Sequence, residues 1–202
     1  FVLNGTGRSE LYSGLDETLK FMIQIWYRVE PRPGDLRAPW MENADIVAPA
    51  IAEHIDLPGF FLDHLVYVTT PAFQDALLAP TDEAYPVILF AHGWNGFAAQ
   101  SSAQLIELAS NGYVVVATQH PYVAIVAVFP DGEIAYNNPE ALPEGAPEPG
   151  YTEAARLLVD QWAGDMSFAL DFIANQNEDA SSPFHKMLDL NRIGVYGHST
   201  GG

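Results

Sequence analysis

Two uninterrupted apolar runs in the chain have the length of strands that are buried on both faces. They cover residues 87–91 and 113–118. Between them, residues 96–111 carry apolar positions at helical spacing, and Asn111 and Gly112 provide a stop signal. Because strand, helix and strand follow one another, this order predicts a right-handed crossover and a parallel sheet.

A longer amphipathic pattern begins at Tyr151 and continues to Ile173. Its periodicity predicts a long helix that packs against the sheet. Gly164 interrupts the pattern at a cost of about 1 kcal/mol relative to alanine, so we expect a bend or a close packing contact there. Residues 189–191 are then expected to turn the chain into a last apolar strand over residues 192–196.

Two further segments follow the carboxyl end of a strand, where substrates bind in parallel sheets. Residues 123–136 contain two apolar runs around a turn signal at residues 130–132, which is typical of a β-hairpin. Residues 137–150 are rich in proline and should form an irregular surface loop. An ordinary solvated connection is favoured there over a lid that covers the substrate.

The last apolar strand leads directly into Gly197-His198-Ser199-Thr200-Gly201. A strand followed by Gly-x-Ser-x-Gly is the sequence form of a nucleophile elbow, a tight turn that holds a serine hydroxyl clear of the sheet. Glycine is needed on both sides because strand and helix approach so closely that a Cβ atom would clash. The motif therefore predicts Ser199 as the nucleophile of a serine hydrolase.

The end of the first apolar run supplies the second part of such a site. One oxyanion donor is the backbone N–H of the residue after the nucleophile, and the other comes from the loop that follows an earlier strand. Thr200 and Trp94 occupy these two positions. Negative charge develops on the ester oxygen during attack, and the loss of one donor typically costs about 10²–10³ in rate. The side chains of Trp94 and Phe97 are candidates for an apolar acyl or aryl pocket, with core packing as the alternative.

The residues that would activate the serine are expected elsewhere. A serine hydroxyl needs a histidine base and a carboxylate that orients it, and in this fold both follow the nucleophile in the order Ser, Asp, His. We therefore expect the functional molecule to continue beyond Gly202 for roughly another hundred residues. His120, at the end of a strand, is a weaker candidate for the base than for a structural role on loop carbonyls. His92 and His198 are expected to brace neighbouring backbone or loops.

Composition narrows the class of protein further. With 49% hydrophobic residues, residues 1–202 are predicted to form a single globular domain. A net charge of −18 argues against nucleic acid as a partner. The absence of cysteine excludes a cysteine nucleophile. The sequence contains no apolar stretch of about 20 residues, so no transmembrane segment is predicted. Phe1 in place of a start methionine slightly favours a secreted or extracytoplasmic mature enzyme.

Several segments together resemble the platelet-activating factor acetylhydrolase family of the plasma, isoform II kind, and its bacterial relatives among carboxylesterases and polyester hydrolases. They are residues 24–27, 85–94, 108–115 and the elbow. The resemblance implies an α/β-hydrolase fold with a mostly parallel sheet and helices on both faces. It also implies a hydrolase without cofactor or metal that acts on short-chain acyl, phospholipid-type or polyester substrates. Ser199 matches the family's nucleophile, and Trp94 and Thr200 match its oxyanion amides.

Two alternatives stay open beside a serine esterase. The first is a catalytically inactive α/β-hydrolase-fold binding protein, since a fold alone does not establish activity. The intact elbow and the intact His92-Gly93 loop argue against it. The second is an amidase or peptidase of the same fold, which would need a well-placed histidine to protonate the leaving amine.

Overall fold

A computed structural model describes all 202 residues of the chain. The strands are β1 (Val2–Ser9), β2 (Thr18–Trp26), β3 (Arg37–Pro39), β4 (Thr69–Phe73), β5 (Tyr85–Ala91), β6 (Val114–Gln119), β7 (Val126–Val128), β8 (Ile134–Tyr136) and β9 (Leu188–Gly197). The α-helices are α1 (Ala44–His54), α2 (Ser102–Ser110) and α3 (Gly150–Glu178). Short 3₁₀ segments cover Gly59–Tyr67, Ala98–Ser101, Pro139–Ala141 and Ser199–Gly201.

Five strands form the main sheet in the order β1-β2-β6-β5-β9. β5 is parallel to both β6 and β9, whereas β2 is antiparallel to both β1 and β6. Four of the five strands therefore run in the same direction, which agrees with the predicted, mostly parallel sheet. β5 and β6 lie in the interior of the sheet, and all six residues of β6 are buried. This explains why both strands read as continuous apolar runs.

Helices cover both faces of the sheet, as predicted. Alternate residues of β5 and β6 point to opposite faces because the side-chain period of a strand is two. On one face, α3 packs Met166, Ala169 and Ile173 into a cluster with Val87, Leu89, Val114 and Val116. On the other face, α2 packs Leu105 against Phe90, Val115 and Ala117. None of the three helices has the length and hydropathy needed to span a bilayer.

Two predicted elements differ from the structure. The helix expected over residues 96–111 is a 3₁₀ segment followed by α2, because the chain first makes a loop beside the elbow. The turn expected over residues 189–191 is instead a bulge inside β9, where Asp189 pairs with Pro86 and Ile193 pairs with Val87. The Asp189 carboxylate holds this bulge by accepting hydrogen bonds from the backbone N–H of Asn191 and from the side-chain Nε–H of Arg192.

Two smaller predictions, on Gly164 and on residues 123–136, agree with the structure in modified form. Gly164 is a close packing contact, since a Cβ atom there would lie 2.7 Å from Nη2 of Arg8, and α3 continues through it. The hairpin predicted over residues 123–136 is the shorter antiparallel pair of β7 and β8.

Candidate active site

Ser199 begins the 3₁₀ turn that follows β9, and its side chain is exposed. Its φ of 54° lies in the left-handed region, which residues other than glycine adopt rarely. A Cβ atom at Gly197 would lie 1.9 Å from the Gly201 carbonyl oxygen, and one at Gly201 would lie 2.4 Å from the His92 carbonyl oxygen. The steric requirement for glycine on both sides of the elbow is therefore confirmed.

The loop that follows β5 lies directly against this elbow. The His198 N–H donates to the Ala91 carbonyl over 3.1 Å, which extends the pairing of β5 with β9. A Cβ atom at Gly93 would lie 3.1 Å from the Ser199 Cβ. The backbone N–H groups of Trp94 and Thr200 donate no hydrogen bond within the chain. The structure thus brings the three residues predicted for the site together on two loops in contact, with both amides free to donate.

His92 fixes the peptide that carries the Trp94 N–H. The His92 ring is buried, and burial together with the neighbouring His120 lowers its pKa to about 3, so the ring is neutral. Its Nε2 accepts from the His120 N–H at 3.2 Å, which leaves Nδ1 as the donor to the Gly93 carbonyl at 2.7 Å. Because the peptide plane is trans, the Trp94 N–H points away from that carbonyl. The prediction that His92 binds backbone is confirmed.

His120 makes different contacts from those expected. Its Nδ1 lies 2.8 Å from the Asp165 carboxylate and its Nε2 lies 2.9 Å from the Thr118 hydroxyl, so its partners are side chains and not loop carbonyls. No hydrogen bond joins Ser199 Oγ to any histidine of the chain. His198 contacts the Gln100 side-chain amide at 3.3 Å, which agrees with a bracing role.

Asp165 is the residue near the site that sequence reasoning missed. It is 1% exposed in the middle of α3, where it forms an ion pair of 2.7 Å with Arg8 from β1. The signal was present, because Asp165 lies three residues after Trp162 and eight before Ile173, on the apolar stripe of the helix. A carboxylate on a buried stripe requires partners, and here they come from distant segments of the chain.

Glu10 is a second buried carboxyl group on the same side of the molecule. It is 7% exposed, its Oε1 accepts from the Tyr12 N–H at 2.8 Å, and burial raises its pKa from 4.5 to about 7. Burial beside Glu10 and Asp165 also raises the pKa of Tyr12 to about 12. Tyr12 belongs to an apolar cluster, with Val123, Ala141, Leu142, Leu158 and Trp162, against which Trp94 packs.

The raised pKa of Glu10 predicts a pH-dependent contribution to stability. The folded protein holds this proton up to about pH 7, whereas the unfolded chain releases it near pH 4.5. The stabilising contribution of protonated Glu10 to the free energy of unfolding is therefore fully present below about pH 4.5 and is lost as the pH rises through about 7. We expect Glu10→Gln to have nearly the wild-type Tm at pH 5 and to raise the Tm at pH 8, by about 2–4 °C for each kcal/mol gained. An equal change in Tm at both pH values, measured by calorimetry, would contradict this.

The two aromatic side chains near the elbow, Trp94 and Phe97, are both partly buried and pack against different neighbours. Trp94 is half-buried against the Tyr12 cluster. Phe97 packs edge-on against Trp40, with ring centroids 6.2 Å apart. Their roles in a substrate pocket stay predictions. A separate cavity of about 690 Å³ lies along β2 and the β3–β4 pair, and none of the three predicted site residues lines it.

Comparison with known proteins identifies the family. Residues 16–131, more than half of the chain, match the family described as platelet-activating factor acetylhydrolase, isoform II. The chain belongs to this family. The match includes the loop after β5 of this acetylhydrolase-family chain and ends before the elbow.

Curated relatives and a solved structure agree with this membership. Platelet-activating factor acetylhydrolase from Canis lupus familiaris is 33% identical over 67% of this chain and 34% of its own length. The protein of the same name from Cavia porcellus is 30% identical over 97% of this chain and 48% of its own length. The acetylhydrolase-family chain thus spans about a third to a half of the relatives that it matches.

A solved structure supports the fold of this family member. A ferulic acid esterase from Streptomyces cinnamoneus superposes with a TM-score of 0.72 at 24% identity, over 100% of this chain and 51% of the esterase. Together with the family match, it confirms the predicted α/β-hydrolase fold.

Proposed function

We propose that the full-length protein is a serine carboxylic ester hydrolase that works through an acyl-enzyme on Ser199. One observation carries the proposal: the elbow and the loop after β5 lie so close that a Cβ atom at Gly93 would be 3.1 Å from the Ser199 Cβ, and both loops have unbonded backbone N–H groups. Donors fixed beside a nucleophile are what acyl transfer needs, because they stabilise negative charge without reorganisation.

The proposed reaction begins when Ser199 Oγ attacks the ester carbonyl carbon and its proton passes to a histidine. The carbonyl oxygen becomes an oxyanion that accepts hydrogen bonds from the Trp94 and Thr200 N–H groups. The intermediate then collapses, and the leaving alcohol takes the proton from the histidine, which leaves an acyl group on Ser199. Water repeats the sequence with the same base and releases the acid.

We propose that the histidine and the carboxylate of the triad lie beyond Gly202 in the full-length protein. The chain order of α/β-hydrolases supports this, because both residues follow the nucleophile. His92, His120 and His198 are each engaged with other partners, and none of the six histidines of the chain forms a hydrogen bond with Ser199 Oγ. The relatives from dog and guinea pig are also two to three times longer than the regions they share with this chain.

For the substrate, we propose esters of short acyl groups, including phospholipid-type and polyester substrates. The relatives from dog and guinea pig are named platelet-activating factor acetylhydrolase, and the structural neighbour is named a ferulic acid esterase. The half-buried Trp94 side chain next to its own oxyanion amide is suited to contact a small acyl or aryl group.

Covalent labelling tests the proposed nucleophile. The full-length protein is treated with a fluorophosphonate, digested, and searched by mass spectrometry for the modified residue. We expect stoichiometric modification of Ser199, because the reagent reacts with serines that an adjacent base activates. Ser110→Ala provides a matched control, since Ser110 is an exposed serine on α2 whose hydroxyl donates to the Glu107 carbonyl and accepts from the neighbouring Asn111 side chain, both in the same turn. A folded protein without an adduct would favour the inactive binding protein instead.

A substrate panel then separates the esterase from the amidase. We expect hydrolysis of p-nitrophenyl acetate and of a phospholipid with a short acyl chain to exceed hydrolysis of matched anilides and long-chain esters. Faster cleavage of the anilides would favour an amidase or peptidase. A secreted or extracytoplasmic location stays a prediction, which fractionation of the source cells can check.

A further inference from the structure

We propose that Asp165 and His120 are positioning residues that set the direction of the Trp94 oxyanion donor. The inference rests on the proposed function, because it assumes that the Trp94 N–H binds the oxyanion. Neither side chain contacts the elbow. Both act through a continuous series of hydrogen bonds that begins at α3 and ends at the peptide between Gly93 and Trp94.

The series begins with a carboxylate that is fixed at both oxygens. Asp165 Oδ1 lies 2.7 Å from Arg8 Nη1, and Asp165 Oδ2 lies 2.8 Å from His120 Nδ1. Arg8 is itself held, since its Nη2 donates to the Gln161 carbonyl at 2.8 Å and its guanidinium lies over Gly164. Buried ion pairs of this kind add little net stability compared with apolar packing. Their value here is geometric, because they leave the carboxylate a single orientation.

Asp165 in turn fixes the His120 ring. The ring is 1% exposed and contacts Asp165 at Nδ1 and the Thr118 hydroxyl at Nε2. Its plane stacks on Trp162, with centroids 4.6 Å apart and an interplanar angle of 9°. Contacts at two edges and one face leave the ring no freedom to rotate. The backbone of His120, which directly follows β6, is therefore fixed as well.

That backbone carries the next link to the site. The His120 N–H donates to His92 Nε2 at 3.2 Å, which requires a lone pair on Nε2 and so a proton on Nδ1. His92 Nδ1 then donates to the Gly93 carbonyl at 2.7 Å. The same carbonyl accepts from the Gly96 N–H at 2.9 Å. Two donors on the Gly93 carbonyl fix the orientation of the whole peptide plane. Because the peptide is trans, the direction of the Trp94 N–H, opposite to that carbonyl, is fixed with it.

The test compares kcat and KM of full-length variants with the affinity of a trifluoromethyl ketone. This inhibitor forms a tetrahedral adduct on a serine and places an oxyanion where the substrate oxyanion would lie. We expect Asp165→Asn and His120→Gln to lower kcat by about tenfold to a hundredfold, with KM almost unchanged. The inhibition constant of the ketone should rise by a similar factor, because the same donor stabilises both oxyanions.

Ile173→Ala is the matched control for a purely structural effect. Ile173 is fully buried on α3, two turns beyond Asp165, and packs in the apolar cluster against the sheet. We expect this variant to lose thermal stability while kcat and ketone affinity stay at wild-type values. Substitution of a positioning residue changes kcat and the affinity for the ketone, whereas substitution of a residue that only packs changes neither.

Each possible result decides the matter. If Asp165→Asn and His120→Gln fold with wild-type kcat and ketone affinity, the proposal is overturned. It is also overturned if neither variant folds while Ile173→Ala does, since the pair then serves stability. Activity in Ser199→Ala would instead remove the proposed function itself. An inactive Ser199→Ala combined with an unaffected Asp165→Asn would overturn only the positioning role.

Discussion

Ser199→Ala in the full-length protein is expected to lower kcat for ester hydrolysis by about 10⁵–10⁶, with the fold unchanged. The serine side chain is exposed and forms no hydrogen bond within the chain, so its removal leaves no buried group without a partner. The oxyanion amides belong to the backbone and stay in place, so a small residual rate above that in water is expected.

Steady-state kinetics and calorimetry on the same samples check this result. An unchanged Tm with the loss of activity supports the nucleophile, and Ser110→Ala should keep both quantities at wild-type values. Substantial hydrolysis by a folded Ser199→Ala protein would show that another residue forms the acyl-enzyme.

Gly197→Ala is expected to lower kcat by at least about 10³, because the new methyl group cannot be accommodated without moving the elbow. The Cβ atom would lie 1.9 Å from the Gly201 carbonyl oxygen and 2.3 Å from its carbon. Both are backbone atoms, so relief requires the turn that carries Ser199 and Thr200 to shift. Such a shift displaces the proposed nucleophile and one proposed oxyanion donor together.

Gly194→Ala offers a control on the same strand. A Cβ atom there meets only Ile88 Cγ1, at an ordinary contact distance of 3.7 Å. We expect this variant to keep its activity and its reaction with the fluorophosphonate, and Gly197→Ala to lose both. Equal activity of the two variants would contradict the steric account of the elbow.

The fold was predictable from the sequence where local pattern and tertiary environment agree. β5 and β6 are apolar throughout because both of their faces are covered, and the stripe on α3 has the period of a helix packed on one side. The bulge in β9 was missed because an Asp-x-Asn sequence also favours a turn. Only the pairing with β5 shows that the strand continues through it.

Within the candidate site, the sequence predicted the residues that the backbone geometry of the elbow requires. It missed the side-chain pair that forms between distant segments of the chain. Gly197 and Gly201 were predicted for a steric reason that holds in the structure. Ser199, Trp94 and Thr200 were predicted from the motif and the strand order, and their catalytic roles stay predictions. The pairing of His120 with Asp165 was not predictable, because 45 residues separate them and the apolar stripe of α3 indicates a buried carboxylate without indicating its partner.

The contact between β9 and the loop after β5 also has a consequence for heat inactivation. The His198 N–H donates a hydrogen bond to the Ala91 carbonyl, and a Cβ atom on Gly93 would meet both His198 and Ser199. The proposed nucleophile and the proposed donor loop are therefore held together by the pairing of β9 with β5. β9 pairs with β5 from Leu188 to Gly197. A local opening that separates β9 from β5 would displace the proposed nucleophile and the proposed donor loop in one event, so loss of activity would precede global unfolding. The backbone amide hydrogens of β9 would then exchange with solvent at the same rate as activity is lost on heating.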